Sequence, residues 1–191
     1  MVNTRRKFIR QAGLIPMLGL IPNLLHAGNP ELPNEKGFVT AGSKQETYNI
    51  MGRQAPVTLM VNKTQHGVSG MSFCKEVIAP DDFIPVHRHK NEDEIVYIQE
   101  GKGEFILGSE KTDVETGSIA FVPKGAWHGL KNSGALPLIM IFTYSPAGFE
   151  DYFREIGVPE GETWKAKSPE EYDAISLKYG IEYKHSPPGW D

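Results

Sequence analysis

The chain has 191 residues, of which 39% are hydrophobic and 23% charged, with 20 Gly, 14 Pro and a single Cys. That length suffices for one domain with its own core, and one cysteine excludes an internal disulfide. The net charge is −4; removal of the N-terminal segment that carries Arg5, Arg6, Lys7 and Arg10 leaves 16 basic against 24 acidic residues, which argues against a nucleic-acid partner.

Residues 1–27 read as an export signal. A basic head, Thr4-Arg5-Arg6-Lys7-Phe8-Ile9-Arg10, precedes an apolar stretch from Ala12 to Leu25 and a small-residue exit at Ala27-Gly28. The stretch is short and is interrupted by Gly13, Pro16, Gly19 and Pro22, so stable membrane insertion is not expected after its removal. The paired arginines resemble a bacterial twin-arginine signal, which implies a periplasmic or secreted protein exported after folding. Residues 28–50 are polar and turn-rich and read as an N-terminal arm.

From residue 51 to 147 short strand signals follow one another closely. Val57 to Val61, Val68 to Ala79, Ile95 to Gln99 and Phe105 to Leu107 come first, and Gly108-Ser109 suits a two-residue hairpin turn. Lys111 to Thr116, Ser118 to Val122, Leu130 and Leu136 to Thr143 complete the set. Such spacing predicts an all-β sandwich or barrel. Cys74 lies within this run and reads as an inert core thiol. Residues 148–191 change period. Phe149, Tyr152, Phe153 and Ile156 recur at helical spacing and stop at Gly157, read as a C′ glycine. Ser168-Pro169-Glu170-Glu171 predicts an N-cap and capping box for a second helix ending at Gly180. Both aromatic stripes read as packing surfaces against the β domain.

The chemistry concentrates in Pro85-Val86-His87-Arg88-His89 and the turn that follows. Side chains two apart in a strand share a face, so His87 and His89 point together and Arg88 points away. Glu94 opens the next strand after a turn in which Glu92 and Asp93 read as solvated. His128 follows a second turn, Val122-Pro123-Lys124-Gly125, read as type I with Pro at its second position. Three imidazoles and a carboxylate on adjoining strands supply a ligand set suited to one divalent transition ion: Mn, Fe, Co, Ni, Cu or Zn.

The pattern His87-x-His89-x₄-Glu94-x₆-Gly101, followed by Gly117-x₅-Pro123-x-Gly125-x₂-His128-x₃-Asn132, resembles the two motifs of the cupin superfamily in order and spacing. The family's metal ligands fall on His87, His89, Glu94 and His128. One position departs: Asp81 stands where the first motif usually opens with glycine. The resemblance implies a jelly-roll β-barrel with one or two short C-terminal helices, and homodimerisation as an option. The segment from Tyr144 to Gly157 is similar to the tail of small single-domain cupins likened to quercetin dioxygenases.

Strand alternation from Glu94 places Val96 and Ile98 inward, and Phe73, Phe105, Phe121, Trp127 and Phe142 are read as further pocket residues. An apolar, aromatic pocket around a redox metal suits a dioxygenase-like oxidoreductase acting on a small aromatic or enol-type substrate, with Glu94 as general base. The alternatives are a non-catalytic module binding a sugar or carboxylate through the metal, and a cupin isomerase or decarboxylase.

Overall fold

The computed structural model describes residues 37–50, 56–185 and 188–190. The expected export signal and the arm as far as residue 36 lie outside the described residues.

The described chain forms two antiparallel sheets. The strands in chain order are β1 (Glu46–Ile50), β2 (Pro56–Val61), β3 (Phe73–Ile78), β4 (Phe83–His89), β5 (Asp93–Glu100), β6 (Lys102–Leu107), β7 (Glu110–Glu115), β8 (Ile119–Val122), β9 (His128–Asn132), β10 (Leu138–Ser145), β11 (Gly157–Pro159) and β12 (Ile181–Tyr183). Seven strands make one sheet in the order β11-β1-β2-β3-β10-β5-β8, and five make the other in the order β12-β4-β9-β6-β7. This is the expected jelly roll, with the two sheets not joined by a ladder into a closed barrel. Alternation is clean in the strands that matter: in β10, Leu138, Met140, Phe142 and Tyr144 are buried while their neighbours are not. With Val57, Leu59, Cys74, Ile78, Val96 and Ile98, they meet Phe105, Leu130 and Ile181 from the second sheet in one core. Cys74 is fully buried, and that burial holds its thiol far above its ordinary range, as an inert core position requires.

Three elements depart from the sequence reading. Residues 46–50, assigned to the polar arm, are β1, hydrogen-bonded between β2 and β11. The C-terminal segment is not purely helical, since it supplies β11 and β12 as outer strands of the two sheets. A short helix, α1 (Lys63–His66), capped by Asn62, interrupts the region before β3, so the strand expected from Val68 begins only at Phe73.

The helices α2 (Asp151–Ile156) and α3 (Pro169–Tyr179) stand where expected, and α3 has its complete capping box between Ser168 and Glu171. Gly157 is not a left-handed cap; its backbone is extended and begins β11. Its need for glycine is contact, because a Cβ there would lie 2.8 Å from Ile50 Cδ1 and from the Phe153 carbonyl.

Candidate metal centre

The local fold aims three imidazoles at one point. In β4, His87 and His89 share the inward face, and both are buried. In β9, His128 is the first residue and lies directly opposite His87 in the β4–β9 register. A tight turn sets that start. The Ala126 amide donates to the Pro123 carbonyl at 3.0 Å, and Gly125 between them has φ 80°. The turn therefore runs Pro123 to Ala126 with glycine at its third position, a type II geometry, one residue later than the type I turn expected. The Gly125 amide also donates to the His89 carbonyl at 2.6 Å, which ties the β9 turn to the end of β4. Asp81, the departure from the motif, adopts the left-handed conformation at φ 63°, so the turn geometry survives in a residue type that tolerates it.

One ligand nitrogen from each of His87, His89 and His128 lies within 4.8 Å of the others. Two of the rings are oriented by backbone: His87 Nδ1 lies 2.7 Å from the Pro85 carbonyl and His128 Nδ1 lies 3.0 Å from the Ala126 carbonyl. With Nδ1–H donating there, the Nε2 lone pairs are left for the centre. His89 is held differently, by ring contacts with Tyr144 at 5.0 Å and Phe149 at 4.3 Å.

Glu94 is 4% exposed and places Oε2 at 2.9 Å from His128 Nε2 and 3.6 Å from His89 Nε2. Yet Glu94 Oε2, His128 Nε2 and both His89 nitrogens are buried with no directed hydrogen bond. Polar atoms so placed, close but not aimed at one another, are costly unless something between them is bound. A divalent transition ion fits this donor set: His87, His89 and His128 would hold it, with Glu94 Oε2 beside them as the further oxygen donor.

Burial drives the His87 and His89 imidazoles well below their ordinary value of 6.5, with the neighbouring histidines adding to the effect. Neutral rings are what a metal requires. The sign for the metal-free protein follows. Below 6.5 the unfolded chain takes up protons that the folded chain refuses, so stability is present above that pH and falls as pH drops beneath it. Metal-free protein should accordingly lose thermal stability between about pH 6.5 and 5, a loss that denaturation scans across that range would register and that a flat profile would contradict.

Between the sheets, next to the cluster, lies a pocket of about 60 Å³. By a comparable measure one water needs about 10–15 Å³, so this space suits a small ligand. Of the expected pocket residues, Val96 and Phe105 line it. Ile98 and Phe142 point inward but are core, 2% and 0% exposed, away from the lining. Phe73, Phe121 and Trp127 are corrections. Phe73 shares its face with Lys75 while Cys74 and Glu76 turn inward, and it is 37% exposed. Phe121 opposes Ile95 on the outer face and is 60% exposed. Trp127 precedes the inward-facing His128 by one residue and so faces away; its ring carries the Arg88 guanidinium at 4.6 Å. Glu92, read as solvated, is buried, and that burial raises its pKa.

The sequence reading missed a large share of the lining. Glu76, Met140 and Tyr144 line the pocket from β3 and β10, and Phe149, Tyr152 and Phe153 line it from the C-terminal segment. For Glu76 the signal was available, since Lys75 fixes the parity of β3. The stripe of α2, read as packing, serves both packing and pocket.

The family model for the cupin domain matches residues 75–144, which contain His87, His89, Glu94 and His128. The chain carries a cupin domain. An uncharacterised protein of Methanocaldococcus jannaschii is 37% identical to this chain over 67 residues, 35% of this chain and 54% of that protein. An oxalate-binding protein of Thermotoga maritima is 29% identical over 62 residues, 32% of this chain and 51% of that protein. The chain thus spans about half the length of the curated relatives it matches. Among solved structures, an RmlC-like cupin from Shewanella frigidimarina superposes with a TM-score of 0.51 at 21% identity, covering 61% of this chain and 96% of that one. The oxalate decarboxylase of Lactobacillus farciminis, as a formate complex, gives 0.50 at 17% identity, covering 56% and 32%. Identities this low speak for the fold.

Proposed function

We propose that this cupin is a metal-dependent, dioxygenase-like oxidoreductase acting on a small enol-type substrate. The observation that carries the reading is the composition of the pocket wall. Among the described residues it holds two carboxylates, Glu76 and Glu94, three tyrosines and a majority of apolar side chains, with no Lys or Arg. A small dianion such as oxalate would meet a bound divalent ion whose charge is already offset by two carboxylates, with no cationic side chain beside it, whereas a neutral enol carries no charge to be balanced until its proton passes to the site. That contrast favours the enol over the decarboxylase and oxalate-binding readings that the relatives' names suggest.

A bound divalent transition ion would supply Lewis acidity and, if redox-active, a route for electrons between substrate and dioxygen. The chain's own groups do the rest. Burial keeps His87 and His89 neutral, and both offer a ring nitrogen beside His128 Nε2. Glu94 Oε2, which has no directed hydrogen bond, accepts the proton that the enol hydroxyl gives up. Phe105, Phe149, Phe153 and Met140 exclude water from the space in which the anion forms. Both atoms of dioxygen end in product, so no external reductant is needed. The twin-arginine leader proposed for residues 1–27 would export such a protein already folded, with its metal chosen in the cytoplasm.

The test is oxygen consumption by metal-loaded protein supplied with acetylacetone, a compact enol. Uptake that requires both substrate and metal is expected, and Glu94→Gln should suppress it by about 10²-fold or more while leaving substrate binding measurable. Conversion that proceeds equally without oxygen would remove the dioxygenase reading in favour of an isomerase or decarboxylase. Recovery of bound acetylacetone unchanged would favour a binding module.

A further inference from the structure

The pocket has two sources. Its imidazoles and carboxylates belong to residues 75–144, but part of its wall lies outside them, in Tyr152, Phe153 and Ile156 of α2 and Ile181 and Tyr183 of β12. In that wall two hydroxyls meet: Tyr152 Oη and Tyr183 Oη are 2.7 Å apart. Tyr152 is 2% exposed; burial pushes its phenol up, opposed by hydrogen bonds with Tyr183 and with Ser176 of α3. Tyr183 stands opposite His87 in the β4–β12 register, with the two rings 6.0 Å apart.

A buried tyrosine ordinarily finds a hydrogen-bond partner, so the pair by itself is compatible with packing alone. Its position argues for more. Both residues line the cavity beside the imidazole cluster, and the rest of their wall (Phe149, Phe153, Ile156 and Ile181) is apolar. A polar spot in an otherwise apolar wall is the usual way a pocket fixes a ligand's orientation. Hydroxyls both donate and accept, so the spot suits a neutral hydroxyl or carbonyl oxygen and adds no charge near Glu76 and Glu94.

We propose that the Tyr152–Tyr183 hydroxyl pair determines the specificity of this cupin, hydrogen-bonding a second oxygenated group of the ligand beside the imidazole cluster. The ligand class is then a small enol or hydroxy-ketone bearing one further hydroxyl or carbonyl. This rests on the enol reading of the site above.

Hydroxamates chelate metals as an enediolate does, and two of them isolate the effect. Glycolohydroxamate and propionohydroxamate have the same length and differ by a terminal hydroxyl in place of a methyl. Calorimetric titration of zinc-loaded protein should show glycolohydroxamate bound about tenfold more tightly, the worth of one good hydrogen bond. Tyr183→Phe should bring the ratio to about one, within a factor of two, with propionohydroxamate affinity and zinc content unchanged. Tyr152→Phe should do the same; because Tyr152 is more deeply buried, the half-buried Tyr183 carries the test if Tyr152→Phe does not fold. A ratio near one in the wild type, or one that survives in Tyr183→Phe, overturns the role of the pair and leaves the enol reading standing. Failure of both hydroxamates to bind zinc-loaded protein overturns that reading and the proposal together.

Discussion

If the imidazole cluster holds a divalent ion as proposed, chelation should lower the unfolding temperature of the wild-type protein by roughly 5–15 °C, and replacing His87 and His128 together by Ala should abolish both the effect and the tightly held metal. The size follows from linkage. An ion present at 100 to 1,000 times its dissociation constant stabilises the folded state by about 2.7–4.1 kcal/mol. A domain of this size shifts by about 2–4 °C for each kcal/mol. The structure explains why the folded state should gain so much. Glu94 Oε2, His128 Nε2 and the two His89 nitrogens are buried without directed hydrogen bonds, a burden of about 1–3 kcal/mol for each such group unless a cation satisfies it. His87 and His128 are the rings whose Nδ1 atoms are fixed by the Pro85 and Ala126 carbonyls, so they are the preorganised half of the ligand set. Elemental analysis and thermal scans with and without chelator decide the matter. A double variant that keeps a full complement of metal and the same chelator response would refute the centre.

The centre was legible in the sequence because it depends on local period. His87 and His89 share a face through the two-residue repeat of a strand, and Gly125 marks the turn that delivers His128. The Gly108-Ser109 hairpin and the Ser168–Glu171 capping box were readable for the same reason: each is a few contiguous residues with fixed geometry. What could not be read is long-range. β11 and β12 have three residues each, and their partners are distant in sequence, as Tyr48 is from Pro159 and His89 from Ile181. No local pattern announces a strand so short. The pocket failed for a different reason. Phe73, Phe121 and Trp127 were placed inward because they are aromatic, although the parity of Lys75 and of His128 already pointed Phe73 and Trp127 outward; Phe121 is turned outward by its pairing with Ile95. Tyr152 and Tyr183 depend on both causes, since an α2 residue and a β12 residue meet only after the C-terminal segment has docked.

Gly103→Ala should be among the most damaging single-methyl changes available to this fold, at about 3 kcal/mol or more. A Cβ at Gly103 would stand 2.4 Å from the Lys131 carbonyl oxygen, 2.8 Å from Leu138 Cδ1 and 3.2 Å from Leu130 Cδ1. The first is backbone and cannot rotate aside. The two leucines are fully or almost fully buried, so they have little room to yield. Nor can β9 slide away from β6, because Asn132, opposite Gly103, is pinned. Its amide donates to the Ile78 and Leu136 carbonyls, both at 2.9 Å, and its oxygen accepts from the Gly134 amide at 2.8 Å. Gly108→Ala makes the control: that glycine has φ 64° and open space around it, so the added methyl should cost only the left-handed backbone penalty of about 1–2 kcal/mol. Strand β9 begins with His128, opposite Leu107 of β6, so any distortion that relieves the clash also displaces one imidazole of the cluster. Gly103→Ala should therefore weaken metal retention as well as lower the unfolding temperature, by roughly 6–12 °C, while Gly108→Ala leaves the metal in place. Equal losses of stability in the two variants would show that β6 and β9 can part without cost, and that the close approach at Gly103 does not hold the centre in register.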